Sequence, residues 1–180
     1  RLGLGTAQIA ALTTSQARAL TTEQISLGLT TAQVAALTTA DISSLLTEQI
    51  SLGLSTAQIV ALTTAQAASL SSAQLSQGFS NAQVAALETR DVAALSTQAV
   101  AAMTTTQISQ LSNDQLILLS TDQVVALTTA QVAALVTSQV AALLTSQIQV
   151  LTTDQVVAFT TDQLNNLSSA GLQALKTSQI

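Results

Sequence analysis

The feature that most constrains this chain is an eight-residue repeat that runs through almost its entire length. Thr30–Leu37 reads TTAQVAAL, Ser120–Leu127 reads STDQVVAL and Thr152–Phe159 reads TTDQVVAF, so the unit is [T/S]-T-x-Q-[V/I/L]-x-A-L. A fixed period of this kind is typical of repeat architectures, in which each unit is stabilised by its neighbours. We therefore expect one continuous array over residues 1–180.

Three of the units are one residue longer than the others. Thr21–Leu29, Leu46–Leu54 and Ser71–Phe79 recur every 25 residues, which divides residues 1–79 into blocks of nine, eight and eight residues. Residues 80–175 then follow a uniform spacing of eight. Because each 25-residue block contains three units, the sequence predicts about three units per coil.

Each longer unit has a glycine immediately before its last apolar residue: Gly28, Gly53 or Gly78. Glycine adopts positive φ without a steric penalty, and it often ends helices in that conformation. We expect these glycines to have positive φ and to let the chain turn after the extra residue.

The local sequence favours a separate short helix for each unit. In one unbroken α-helix, a period of eight would rotate the apolar stripe by about 80° per unit, so no single face could be buried. Thr30 and Gln33 instead form a capping-box pattern at a helix start, and Val34 and Leu37 lie on one face of the helix that follows. Such short helices are unstable alone. The sequence therefore predicts an all-α solenoid whose fifth and eighth positions form a narrow core, with Ala at the seventh position allowing close packing.

The alternative fold is a three-sided β-solenoid, because 24 or 25 residues would also suit three strands per coil. Thr, Val and Ile favour strands. However, β-coils turn at Gly, Asn and Asp, whereas the six glycines of this chain rarely fall at unit boundaries. The density of Ala and Gln favours helices.

Composition excludes several classes of function. The chain has no Cys and no His, so we expect no catalytic residue, no metal site and no cofactor site. Its net charge is −5 and its four cations are scattered, which does not suit nucleic acid. No apolar run approaches the roughly 18 residues of a membrane span, so we expect no membrane insertion. We also expect no small-molecule substrate and no enzyme activity.

The repeated polar residues have two interpretations. The fourth-position glutamines, among them Gln8, Gln33 and Gln131, could form a ladder that binds a polar polymer, but we favour local helix capping, with Asp41 and Asp91 replacing glutamine as caps. Acidic residues at the third position of several units could suggest a calcium site. However, the third position lies in the first turn of its helix, where the helix dipole favours acidic residues. These acids are Asp114, Asp122, Asp154 and Asp162. The only lysine, Lys176, occupies a cap position, and we do not expect it to be catalytic.

Arrays of the LTTAQVAALTTDQ type resemble the low-complexity repeat regions of large bacterial surface or secreted, adhesin-like proteins. The resemblance covers the whole chain and carries no site residues. It implies an extracellular spacer or filament at a bacterial cell surface. Our leading hypothesis is a noncatalytic structural protein that forms a rigid rod, stalk or filament segment. The alternative is a solenoid that binds a glycan or peptide, for which a cluster of aromatic or charged residues at the third and sixth positions would be required.

The two ends of the sequence are also complementary. KTSQI at 176–180 followed by RLGL at 1–4 reads KTSQIRLGL, which fits the nine-residue unit TTEQISLGL. Neither end resembles the polar capping repeat of an ordinary solenoid. We therefore expect this array to be a segment of a longer one, with adjacent repeats or copies of the chain as its partners, end to end.

Overall fold

The structure is a computed structural model that describes residues 3–180. Within this range the chain forms eighteen α-helices, three π-helices and one 3₁₀-helix, and it contains no β-strand. The predicted all-α solenoid is confirmed, and the β-solenoid alternative is wrong. The physical reason is local capping. The Thr and Gln side chains of a unit hydrogen-bond to the first backbone N–H and N-cap groups of a helix, and a β-strand would not use these side-chain hydrogen bonds.

The helices are arranged on three sides, and each helix packs on the helix three units earlier. The predicted three units per coil is therefore confirmed. The helices of side 1 are Thr6–Ala10, Thr31–Ala36, Thr56–Val60, Asn81–Ala86, Thr105–Gln110, Thr129–Ala133, Thr153–Val157 and the 3₁₀-helix Thr177–Gln179. The helices of side 2 are Thr14–Ala19, Thr39–Ser44, Thr64–Ala68, Thr89–Ala94, Asn113–Ile117, Thr137–Ala142 and Thr161–Asn165. Those of side 3 are the π-helices Gln24–Gly28, Gln49–Gly53 and Gln74–Gly78, followed by the α-helices Thr97–Ala102, Thr121–Ala126, Thr145–Ile148 and Ser169–Ala174.

The unit Thr30–Leu37 shows how the sequence produces each helix and each corner. Thr30 is extended, with φ −80° and ψ 165°, and its hydroxyl accepts a hydrogen bond from the Gln33 backbone N–H at 3.3 Å. The helix ends at Ala36, and its C-cap Leu37 has left the helical conformation, with φ −59° and ψ 142°. Thr38 then caps the next helix. Every corner is thus a C-terminal apolar residue followed directly by the N-cap of the next unit.

The core is a continuous column formed by the fifth and eighth positions. Val34 and Leu37 are buried, and so are their counterparts Val124 and Leu127 in a later coil. The only two aromatic residues, Phe79 and Phe159, are the last residues of their units and are also buried. The predicted inward positions are therefore correct, and the core uses both aromatic side chains.

The extra residue of each longer unit lies inside a π-helix on side 3. In the last of these, the Phe79 N–H donates to the Gln74 carbonyl at 2.9 Å, a wider turn than that of an α-helix. Gly28, Gly53 and Gly78 are the last residues of the three π-helices.

The predicted positive φ at these glycines is wrong, because Gly3 is the one residue with positive φ in the described part of the chain. At Gly53 and Gly78 the structure instead shows a close approach between coils. A Cβ on Gly53 would lie 3.2 Å from both Cβ and Cγ2 of Ile25, and one on Gly78 would lie 3.3 Å from the Thr47 Cα. Both are closer than ordinary packing contacts.

Candidate functional site

The fourth-position glutamines are the most regular polar feature of the structure, and they lie at the corners of the coils. Gln66 represents them. Its Oε1 accepts a hydrogen bond from the Thr63 N–H at 2.8 Å, and its own N–H donates to the Thr63 hydroxyl at 3.2 Å. This reciprocal pair is the predicted capping box, and it is confirmed.

The other half of the same side chain performs a second task, which the sequence analysis missed. Gln66 Nε2 donates to the carbonyl oxygens of Val34 at 2.9 Å and Leu37 at 2.7 Å, at the corner directly below in the preceding coil. The side chain is only 1% exposed. One side-chain amide therefore caps its own helix with its oxygen and joins two coils with its nitrogen. It satisfies three backbone groups, the Thr63 N–H and the carbonyls of Val34 and Leu37.

The same bridge recurs along the solenoid. The glutamines that donate to the preceding coil are Gln33, Gln49, Gln58, Gln66, Gln74, Gln83, Gln107, Gln115, Gln123, Gln131, Gln139, Gln147, Gln155, Gln163 and Gln179. A glutamine ladder therefore exists. It is buried within the protein, where it joins coils, and it does not offer its amides to a polymer in solvent.

One signal in the sequence could have revealed the bridge. A capping box accepts Glu as readily as Gln, yet no fourth position of this array holds Glu. A carboxylate could accept the capping hydrogen bond but could not donate to a carbonyl below. Every long side chain at this position is thus an amide, which indicates that the donor is used.

The glutamine is also the more persistent half of the capping box. Val136 and Leu144 replace the hydroxyl residue at the first position of their units. Their backbone N–H groups still donate to the side-chain oxygens of Gln139 at 2.8 Å and Gln147 at 3.0 Å. The unit can therefore lose its hydroxyl cap and retain both the glutamine cap and the bridge.

The coil of residues 80–103 departs furthest from this regularity. Of its three fourth positions, Gln83 bridges to Ile50 and Leu54, whereas the other two are Asp91 and Ala99. Neither an ionised carboxylate nor a methyl group can donate to the coil below. Of the three corners at which residues 80–103 meet the coil below, one therefore has a glutamine bridge and two have none.

Asp91 occupies an unusual environment in this coil. Its side chain is 0% exposed; Oδ1 accepts a hydrogen bond from the Thr64 hydroxyl at 2.9 Å and lies 3.6 Å from the Arg90 Nε. Oδ2 is buried and has no hydrogen-bond partner among the described residues. Burial raises the pKa of Asp91 above its ordinary value, although Thr64 and Arg90 oppose the shift.

The two aspartates expected to act as caps differ in outcome. Asp41 Oδ2 accepts from the Thr38 N–H at 3.1 Å and from the Thr38 hydroxyl at 2.7 Å, so this prediction is confirmed. For Asp91 the prediction is wrong. Glu88 stands where the hydroxyl cap should be, makes no side-chain capping bond, and instead forms an ion pair with Arg90 at 2.7 Å. The carboxyl of Asp91 is therefore directed to the neighbouring coil and not to its own N-cap.

The outer surface offers little concentrated chemistry. Asp114, Asp122, Asp154 and Asp162 lie exposed in the first turns of their helices, as predicted. Lys176 is exposed at the N-cap of the last helix, also as predicted. Because both phenylalanines are in the core, the surface has no aromatic platform of the kind that glycan and peptide sites use.

Residues 3–180, which the structure describes, contain no group of three His, Cys, Asp or Glu side chains placed to hold a metal ion. None of their helices combines the length and the apolar character that crossing a membrane requires.

Comparison with known proteins gives one match. A family model described as ALTTAQ repeat matches residues 3–26, 84–121, 129–161 and 137–169, which together cover more than half of the chain. No curated protein matches, and no solved structure matches.

Proposed function

The chain belongs to the ALTTAQ repeat family, and we propose that it serves as a rigid, noncatalytic rod, stalk or filament segment on the outside of a bacterial cell. The observation that carries this proposal is the axial continuity of the solenoid. Core side chains and glutamine bridges run from coil to coil, so each coil is joined to the next by both apolar and polar contacts. Repeat proteins built in this way extend along one axis.

The chemistry of the outer surface supports a spacer over a binding module. The exposed third positions are mostly Ala, Ser and isolated acids, and they form no aromatic cluster. A binding solenoid concentrates unusual side chains on one face, whereas a spacer needs only a soluble exterior. The proposed partners are adjacent repeats or copies of the same chain, joined end to end. The extracellular location rests on the resemblance of the array to adhesin-like repeat regions.

Changing the number of coils provides the sharpest test of a spacer. With helices packed about 8 to 10 Å apart, seven coils should give a rod about 60 to 70 Å long. Duplicating residues 104–127, a coil with all three glutamine bridges, should lengthen the particle by about 8 to 10 Å without changing its width. Small-angle X-ray scattering measures both dimensions. An unchanged length, or an increase in width, would contradict the proposal.

The location needs a separate experiment in the organism that makes the protein. Antibodies raised against the folded 180-residue chain should label intact, unpermeabilised cells or the culture medium. Labelling that appears only after the cells are permeabilised would overturn the extracellular part of the proposal. The rod shape is a separate part of the proposal, and the scattering experiment tests it.

A further inference from the structure

On one side of the solenoid, two stacked helices have no glutamine bridge at either end. These helices are Thr64–Ala68 and Thr89–Ala94, which pack on each other on side 2. The bridge at the start of the upper helix would come from position 91, which is Asp91, and the bridge at its end from position 99, which is Ala99. We call the contact between these two helices the side-2 seam.

Other coils that lack one glutamine keep a bridge at one end of every stacked helix pair. Asp41 and Gly171 each stand at a fourth position. The glutamines at the neighbouring corners still donate to the coil below, namely Gln33 and Gln49 around Asp41, and Gln163 and Gln179 around Gly171. Among the described coils, the side-2 seam is therefore the one contact between stacked helices that is unbridged at both ends.

Two hydroxyl groups make weaker connections near the missing bridges. The Thr64 hydroxyl donates to Asp91 Oδ1 at 2.9 Å, and the Ser72 hydroxyl donates to the Gln98 carbonyl at 3.1 Å, where the bond is exposed to solvent. Each is a single hydrogen bond, whereas Gln66 donates to two carbonyls of the coil below from a buried amide. The seam is therefore joined by fewer hydrogen bonds than a bridged contact.

The interior of the seam also favours separation. Its fifth-position core residues are Ala67 and Val92, which are buried but small, so little apolar area holds the two helices together. Asp91 Oδ2 is buried beside them without a hydrogen-bond partner among the described residues. Because an unpaired buried acceptor is costly, a motion that admits water to Oδ2 recovers part of that cost.

The remaining corner of the same joint is held tightly. Gln83 Nε2 donates to the carbonyls of Ile50 at 2.7 Å and Leu54 at 2.6 Å. This corner lies between side 3 and side 1, so it is opposite side 2 in the three-sided coil. The two coils can therefore part along side 2 while this corner stays joined.

We infer that this joint is a hinge, at which the two coils part along the side-2 seam and pivot on the Gln83 corner. Such a hinge bends the solenoid at one defined place while the coils on either side stay folded. The inference goes beyond the proposed function, because it concerns a motion within the chain and holds whatever the location or partners of the protein.

The proton on Asp91 sets how often the hinge opens. The charged groups around Asp91 are Glu88 and Arg90 on its own helix and Asp114 on the stacked helix Asn113–Ile117, and the helix below carries none. Burial raises the pKa of Asp91 in the closed joint. The closed joint therefore binds the proton more tightly than an open, hydrated joint, so opening increases as the pH rises.

A single introduced thiol can report the opening, because the chain has no cysteine of its own. Val92→Cys places a thiol inside the seam. The matched control is Val140→Cys, the same substitution at the fifth position of side 2 two coils later, and both valines are 0% exposed. The control lies in Thr137–Ala142, where Gln139 and Gln147 bridge both ends to the coil below.

The rate of thiol labelling by an aromatic disulfide reagent, without denaturant, gives the result. At neutral pH we expect Val92→Cys to react at least about 10-fold faster than Val140→Cys, because local opening exposes only the seam. Adding Asp91→Gln and Ala99→Gln to Val92→Cys restores both bridging amides and should remove this difference. Equal labelling rates for the two thiols, or an unchanged rate after both glutamines are restored, would overturn the hinge.

The ratio of the two labelling rates, measured from about pH 4 to about pH 7, tests the role of Asp91. Taking the ratio cancels the effect of pH on the reactivity of the thiol itself. The ratio should fall as the pH is lowered, and it should not change with pH when Asp91→Asn is added. A ratio that is independent of pH with Asp91 in place would overturn the control by its proton.

A second thiol keeps the test available if Val92→Cys does not fold, which circular dichroism would show. Ala67→Cys lies in the lower helix of the same seam, and Ala67 is also 0% exposed. It should likewise react at least about 10-fold faster than Val140→Cys. A rate equal to that of the control would contradict an opening along side 2.

Discussion

The coils of residues 5–79 and those of residues 80–175 build the same cross-section from different lengths of chain. In the first region the bridges span one residue more: Gln66 reaches Leu37, 29 residues back, whereas Gln131 reaches Met103, 28 residues back. The additional residue is absorbed by a π-helix on side 3. The core and the corners therefore keep the same structure in coils of 24 and 25 residues, provided that the extra residue lies inside one helix. The regular stacking of the coils thus depends on the geometry of the corners and not on the number of residues per coil.

The largest expected effect is the loss of a corner bridge. Gln131→Glu keeps the Oε1 that caps its helix but replaces the donor to Val100 and Met103 with a buried carboxylate. We expect the free energy of unfolding to fall by about 3 to 5 kcal/mol at neutral pH, because an uncompensated charge is buried. Gln74→Glu should cost a similar amount in the 25-residue coils, since Gln74 is as buried as Gln131 and bridges in the same way.

Urea denaturation monitored by circular dichroism measures these changes. The matched control is Gln16→Glu, because this glutamine caps its helix but bridges to no described residue. The control should change the free energy of unfolding by less than about 1 kcal/mol. If Gln16→Glu and Gln131→Glu were equally destabilising, capping and not bridging would be the main contribution of the corner glutamines.

The next effect is that of a core truncation, which should be the same in both regions. Leu54 and Leu127 are the last residues of their units, and both are 5% exposed. Leu127→Ala and Leu54→Ala should each cost about 2 to 5 kcal/mol, because each removes buried apolar volume from a narrow core. Asp122, an exposed acid in the first turn of its helix, provides the contrast. Asp122→Ala should lower the free energy of unfolding by well under about 1.5 kcal/mol. Equal effects of Leu127→Ala and Asp122→Ala in urea melts would contradict the assigned register.

A smaller effect should come from the glycines that end the π-helices, which occur in the 25-residue coils. Gly53→Ala places a methyl group 3.2 Å from two atoms of the Ile25 side chain, which is itself buried. We expect a loss of about 1 to 3 kcal/mol from overpacking. Gly5→Ala is the control, because its new methyl group would meet only the Gln8 side-chain oxygen at 3.7 Å. Differential scanning calorimetry would contradict the close-approach role if Gly53→Ala raised the melting temperature.

The smallest effect concerns Asp91, at the joint where the two regions meet. Position 91 lies where a glutamine would bridge to the coil below, so Asp91→Gln should add a bridge and stabilise the protein by about 1 kcal/mol at neutral pH. Asp91→Asn removes the buried charge but is too short to restore the bridge. It should therefore give only part of that gain.

Both Asp91 variants should also change the pH dependence of stability. Because burial raises the pKa of Asp91 above 3.8, the folded state binds this proton more tightly than the unfolded state does. The destabilisation from the ionised carboxylate is absent below pH 3.8 and grows as the pH rises through the folded-state pKa. Urea melts from pH 3 to pH 7 should show this contribution in the unmodified chain. A pH profile identical to that of Asp91→Asn would contradict it.

The sequence determined the elements and their order, because these depend on interactions within three or four residues. The hydroxyl at Thr30, the amide at Gln33 and the apolar pair Val34 and Leu37 are sufficient to start, cap and orient one helix. Repetition of this unit, with one extra residue in every third unit of the first region, also predicted three helices per coil. The spacing of the array was therefore enough to predict the fold class.

Only the tertiary structure decided how the coils are joined. The Nε2 of Gln66 finds Val34 and Leu37 because the coil length and the corner geometry place those carbonyls below it, about thirty residues earlier in the chain. The close approach of Gly53 to Ile25 and the reorientation of Asp91 toward Thr64 likewise depend on what the neighbouring coil presents. A capping motif specifies which bonds a residue makes with its own helix. The position of the next coil is set by packing of the whole array, so the remaining bonds of that residue could be identified only once the coils were stacked.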